Sequence, residues 1–207
     1  MKTFIYVDAF NLYYGSLKGT PYKWLDLAAL CRALLTKHQI ERIKYFTALV
    51  QSRPNNPGQL TRQQVYLRAL RTIPNLEIYY GHYLSHVVPM PLANPQPGQS
   101  AYVKVIKTEE KGSDVNLASH LLRDAHLKLF ECAVIISGDS DLKTPVVIVK
   151  QDLGLPVGVI NPQRKPCRAL EDTATFYKHI RNSALQACQF PPVLTDAKGT
   201  FSNPSEW

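Results

Sequence analysis

The run CAVIIS at residues 132–137 narrows the fold more than any other stretch of this chain. It is unbroken by polar alternation, rich in β-branched side chains and too short for a buried helix. That combination describes a central strand covered on both faces, as parallel sheets require. TFIYV at 3–7 and LPVGVI at 155–160 repeat the signature, and segments of helical period lie between them. The pattern predicts an α/β fold with a mainly parallel sheet.

The remaining elements follow from periodicity and turn chemistry. Helices are expected at 24–36, 59–72, 114–129, 144–152 and 170–180, and further strands at 42–50, 76–84 and 101–107, the last returning antiparallel. QSRPNNPGQ closes the second strand, while the proline-rich HVVPMPLANPQPGQS at 86–100 reads as an extended loop. From Gln189 onward periodicity fades. The expected organisation is one domain over 1–182 with a C-terminal tail at 183–207.

Lys and Arg number 24 against 16 Asp and Glu, a net charge of +8 that suits an anionic partner such as nucleic acid. Cys31, Cys132, Cys167 and Cys188 are far apart and form no CxxC pair, so they read as buried free thiols rather than a zinc set. No stretch approaches the ~20 apolar residues of a membrane helix, and MKTFIYVDAF meets an aspartate too early for a signal peptide. A cytoplasmic location is expected.

Carboxylates stand where the apolar runs end. Asp8 follows the first strand and Asp139 follows CAVIIS, so in a parallel sheet both reach the carboxyl edge where such folds bind ligands. Asp114 opens a helix on the row of Ala118, Leu121 and Ala125, which brings a third carboxylate towards that edge. Asp124 falls with His120 and Lys128 on a face that reads as solvated. Gathered carboxylates repel one another, and a hard cation with oxygen ligands, Mg²⁺ or Mn²⁺, resolves the repulsion. With the basic surplus, phosphodiester hydrolysis is the economical reading.

The residues VDAFNLYYG (7–15), EKGSDVNLA (110–118), SGDSDL (137–142) and VGVINP (157–162) resemble the NYN domain, in the LabA-like group of the PIN-like nuclease superfamily. The likeness runs from about residue 3 to 180. It implies a Rossmann-like three-layer α/β/α fold and metal-dependent cleavage of RNA. It makes Asp8, Asp114 and Asp139 metal-holding carboxylates, with Asp141 as a further acidic member acting directly or through water. Asn11 would steady the site or a phosphate, or cap the turn it begins; Ser137 would hydrogen-bond a carboxylate. The third motif departs from the group, continuing as Leu142, Lys143, Thr144 and Pro145 where an aromatic residue is usual, which bears on substrate contact.

Lys111 and Lys143 flank the acidic motifs and are candidates to neutralise phosphates, and Arg53, Arg62, Arg164 and Lys165 to extend a basic track. Tyr13, Tyr14 and Tyr22 either stack on bases or pack beneath the loop. His82 and His86 lack a third zinc ligand. The leading expectation is a metal-dependent ribonuclease acting on single-stranded RNA, with a homodimer left open. A non-catalytic RNA- or nucleotide-binding module is the alternative. A haloacid-dehalogenase type phosphatase is disfavoured because Ala9 and Phe10, not a second Asp, follow Asp8.

Overall fold

The computed structural model describes residues 1–52, 56–96, 98 and 100–205. β1 (Lys2–Asp8) leads through α1 (Ala9–Leu12) and a π-helical turn (Tyr13–Leu17) to α2 (Leu27–Leu34), β2 (Gln39–Thr47), α3 (Gln59–Leu70) and β3 (Leu76–Tyr80). Strands β4 (His82–Pro91) and β5 (Tyr102–Lys111) follow, then α4 (Ser113–His126) and β6 (Cys132–Ile136). A 3-10 turn (Ser140–Leu142) runs into α5 (Lys143–Val147) and a second π-helical turn (Ile148–Asp152). The chain ends through β7 (Val157–Asn161), α6 (Arg168–Glu171), β8 (Phe176–His179), α7 (Asn182–Ala187), β9 (Val193–Asp196) and β10 (Gly199–Ser202).

Six strands form one parallel sheet in the order β3-β2-β1-β6-β7-β8. The chain therefore winds outward from β1 in one direction and from β6 in the other, and a crevice opens where the order reverses. Side-chain alternation sorts the core into two layers. Ile5, Val7, Val134 and Ile136 pack with α2 and α3, while Phe4, Tyr6, Ala133 and Ile135 pack with Leu117 and Leu121 of α4 and Val146 of α5. This is the expected three-layer α/β/α arrangement. Asp26 begins α2 by accepting from Ala28 and Ala29 N–H at 2.8 and 3.0 Å, a cap worth about 1 kcal/mol.

Five expectations are corrected. The strand expected at 76–84 is two strands: β3 joins the sheet, and after Gly81 the chain leaves it as β4, which pairs antiparallel with β5 in a separate ribbon. The first six residues of the proline-rich segment, 86–91, are thus strand. Leu92 N–H donates to Ala101 O at 2.8 Å, so the alternate positions Pro89 and Pro91 direct their missing N–H groups outward, where an edge tolerates them.

The helix expected at 170–180 stops early. Thr173 turns its hydroxyl onto Ala169 O at 2.7 Å, and Thr175 both donates from N–H to Val157 O (2.7 Å) and accepts from Val157 N–H (3.0 Å). That exchange steers Phe176 and Tyr177 into pairing with β7, and tertiary pairing overrides local helical period.

Asp124 is fully buried rather than solvated. It lies in phase with Leu117 and Leu121 and meets the Lys44 ammonium and the Tyr6 hydroxyl (2.8 Å), joining α4 to β2 and β1. The segment after Gln189, expected as a tail, packs on the α2 side. Trp24 donates its indole N–H to Pro191 O at 2.8 Å and stacks edgewise on Phe190 and Phe201, while Arg68 grips Asp196 of the β9–β10 hairpin with two bonds of 2.8 and 2.7 Å.

Candidate active site

Asp8 ends β1 and Ser137 follows β6, so the two stand side by side where the strand order reverses. Both carry the parity of Phe4, Tyr6 and Ile135 and face the α4 layer. Asp8 is only 4% exposed. One of its oxygens accepts from the Asn11 N–H and the other from the Ser137 hydroxyl, each at 2.9 Å. Ser137 Oγ in turn accepts from the Asp139 N–H (3.1 Å), and Asp139 accepts from the Asp141 N–H (3.0 Å).

Asn11 clamps the far side. Its side-chain oxygen accepts from the Gly138 N–H at 2.9 Å and from the Gln163 amide at 3.1 Å. Asp8, not Asn11, caps α1; Asn11 lies within the helix, and its side chain holds the 137–142 loop against β1 instead of capping a turn. Glycine is needed at 138 because a Cβ there would meet the Asn161 side-chain oxygen at 2.4 Å.

Asp114 comes in from α4. Gly112 takes a left-handed φ of 97° and turns the chain from β5 into the helix, with the Glu110 carboxylate accepting from Ser113 N–H (3.1 Å) and hydroxyl (2.6 Å). Asp114 is exposed to the crevice rather than sealed in the core row. Its carboxyl is nonetheless raised above the usual range, by desolvation first and then by Asp139, Glu110 and Asp141. Burial pushes Asp8 up to about 6; the Asn11 and Ser137 hydrogen bonds oppose the rise, and the charges of Asp114 and Asp139 add to it. Asp8 and Asp114 thus both feel the charge of Asp139, and Asp114 also that of Asp141 and of Glu110, a neighbour the sequence did not suggest.

The donor set is all oxygen, which fits a hard cation. Among the described residues no three His, Cys, Asp or Glu side chains stand close enough to enclose an ion together. The arrangement therefore suits a cation that keeps most of its water and takes one or two carboxylates, as Mg²⁺ usually does. Gln163 and Asn161, which brace the site, escaped sequence reasoning; the only signal was their place just after an apolar strand, within and beyond VGVINP.

The basic candidates divide. Lys143 is exposed at the start of α5 beside the acidic loop, and Arg164 and Lys165 are exposed next to Gln163. Lys111 instead lies on the ribbon, paired with Glu109 at 3.4 Å. Arg62 is on α3, and Arg53 falls outside the described residues. Tyr13 and Tyr14 are 37% and 58% exposed, so they do not pack beneath the loop, whereas Tyr22 packs against the core. His82 and His86 sit on one strand about 13 Å apart along its axis, too far to share an ion.

No helix among the described residues is long and apolar enough to cross a membrane. Over its whole length the chain is 30% identical to 6-hydroxy-3-succinoylpyridine 3-monooxygenase HspA of Pseudomonas putida, aligning with 75% of that protein. Its fold matches the crystal structure of VPA0982 of Vibrio parahaemolyticus, a protein of unknown function, with a TM-score of 0.58 over 87% of this chain and 93% of that one, at 19% identity. The NYN domain model matches residues 2–181. Together with the parallel sheet and its acidic switch point, that match places the chain in the NYN domain family, a PIN-like group made up generally of nucleases.

Proposed function

We propose that the protein is a metal-dependent ribonuclease that cleaves phosphodiester bonds of single-stranded RNA. The observation that carries this reading is Asp8: a buried aspartate at the switch point, hydrogen-bonded only to neutral donors and raised by two further carboxylates. Ionised, such a group is costly unless a cation arrives from outside. In this reading Asp8, Asp114 and Asp139 together hold a hydrated Mg²⁺ or Mn²⁺, one or two of them by direct contact and the rest through its water, with Asp141 acting directly or through water. When bound there, the cation supplies Lewis-acid polarisation of a phosphoryl oxygen and activation of water.

The chain's own groups do the positioning. Ser137 and the Asn11 N–H fix both oxygens of Asp8, so its remaining lone pairs face the crevice. Gln163 and the Gly138 N–H fix Asn11, which keeps α1 and the 137–142 loop in register. Lys143, Arg164 and Lys165 offer positive charge to phosphates on either side of the bond that breaks. Lys111 contributes to RNA contact only by exchanging Glu109 for a phosphate.

Purified protein is expected to cut single-stranded RNA with Mn²⁺ or Mg²⁺, to stop with chelator, and to lose cutting in Asp139→Asn. Full cutting by that variant contradicts the assignment. A second reading, oxygenation of a hydroxypyridine, is favoured by one observation, the 30% identity to HspA across the whole chain. Turnover of such a compound with oxygen and an electron donor, retained in Asp139→Asn, would support it.

A further inference from the structure

A second concavity opens on the other side of the β1 terminus. Val7 and Tyr45 pair in the sheet on the α2 and α3 face, while their successors Asp8 and Phe46 pair on the α4 face. α1 begins between them, so the carboxylates lie to one side of it and the concavity to the other. Its walls are rings: Tyr13 from the π-helical turn, with Tyr45 and Tyr66 deeper in. π-helical turns cluster at functional sites, and this one puts the consecutive rings of Tyr13 and Tyr14 edge to face, 5.3 Å apart, on the rim.

The charged groups are cationic, among neutral ones such as Thr47, Gln59 and Gln63. Arg62 and Lys23 line the pocket, and among its described lining residues there is no carboxylate. Arg62 donates to Asn56, which holds its guanidinium in place, and it faces Tyr13 closely enough to oppose the rise that burial imposes on the Tyr13 hydroxyl. The cavity volume is about 120 Å³. That is on the scale of the ~150 Å³ cavity known to hold one benzene, so one six-membered ring fills it, while a bicyclic ring has to extend out through the open mouth.

We propose that this pocket binds a single six-membered heteroaromatic ring carrying an anionic group. The ring lies against Tyr13 and Tyr45, and the anion pairs with Arg62 and Lys23. Two sources share this chemistry. One is a pyrimidine nucleotide of an RNA chain that crosses the sheet edge over α1 into the acidic crevice, an identity that rests on the ribonuclease reading. The other is a free pyridine bearing an acid side chain, the kind of compound named for HspA.

The test is a titration of metal-free full-length protein, followed by ligand proton shifts, with uridine 5′-monophosphate, adenosine 5′-monophosphate and a 3-succinoylpyridine. Saturable binding of the uridine nucleotide, at least about fivefold tighter than the adenosine nucleotide, is expected. Binding should weaken about tenfold or more in Tyr13→Ala and in Arg62→Gln, with Tyr13→Phe and Asp139→Asn close to wild type. Saturable binding of the pyridine acid alone, with the same dependence on Tyr13 and Arg62, supports the pocket and assigns the small-molecule source. No saturable binding of either ring acid, preference for the purine, or equal binding by folded Tyr13→Ala and Arg62→Gln overturns the proposal. RNA cleavage persisting beside such a result leaves the ribonuclease reading standing, whereas pocket binding without cleavage removes that reading alone.

Discussion

Asp8 and Asp124 are both withdrawn from water, 4% and 0% exposed, yet the protein treats them oppositely. Asp124 meets Lys44, itself almost fully buried, and the Tyr6 hydroxyl, and Arg123 adds a contact at 3.3 Å from the surface. Tyr6 is driven far above the ordinary tyrosine range, by burial first and by Asp124 next. Asp8 has two neutral donors and two carboxylate neighbours. Where a carboxylate serves the fold, the chain supplies its counter-charge in cis; for Asp8 the proposed reading is that the counter-charge comes from something that binds.

The largest expected effect is on the structural pair. Lys44→Met leaves Asp124 buried without its partner and should cost about 3–5 kcal/mol in urea denaturation, with most of the loss recovered in Lys44→Met/Asp124→Leu. A cost below about 1 kcal/mol would erase the contrast.

Asp8 should respond with the opposite sign. Its folded carboxyl, pushed up to about 6, lies above the unfolded value near 4, so the ionised form destabilises the fold as pH rises through that window. In metal-free protein Asp8→Asn should therefore be more stable than wild type by about 1–3 kcal/mol at pH 7.5 and indistinguishable near pH 4. On the proposed ribonuclease reading, RNA cleavage should be lost at both.

A smaller effect is expected from Ser137→Ala, which removes the hydroxyl that steadies Asp8 and receives the Asp139 N–H. Without that hydrogen bond the Asp8 carboxyl rises further, and the acid limb of the cleavage profile should move up by about one pH unit. An unmoved limb with reduced rate would make Ser137 a loop brace only.

The contrast also explains which features were legible in the chain. Asp8 and Asp139 follow uniformly apolar strands, so strand polarity alone carries them to one edge. Asp124 reads as solvated because its helical neighbours His120 and Lys128 suggest a wet face; its partner Lys44 lies 80 residues earlier inside an apolar strand, and no local pattern joins them. Gln163 reaches the site through the turn after β7 and Glu110 from the last residues of β5, and the directions of both depend on tertiary packing. The β4–β5 ribbon was hidden because proline argues against strand, and only the register of Leu92 with Ala101 shows that Pro89 and Pro91 occupy harmless positions. Likewise Trp24 and Phe201 lie far apart in sequence, so docking of the C-terminal hairpin has no local signature.

The central claim is that the counter-charge for Asp8 is a cation taken from solution. It is tested most directly by titrating Mn²⁺ into wild-type protein and Asp8→Asn at pH 7.5, with free Mn²⁺ read by paramagnetic resonance. Saturable binding that falls at least about tenfold in Asp8→Asn, and falls in wild type as pH drops through about 6, is the predicted result. Equal Mn²⁺ binding by both proteins, or none by a wild type that still cleaves RNA, would contradict it.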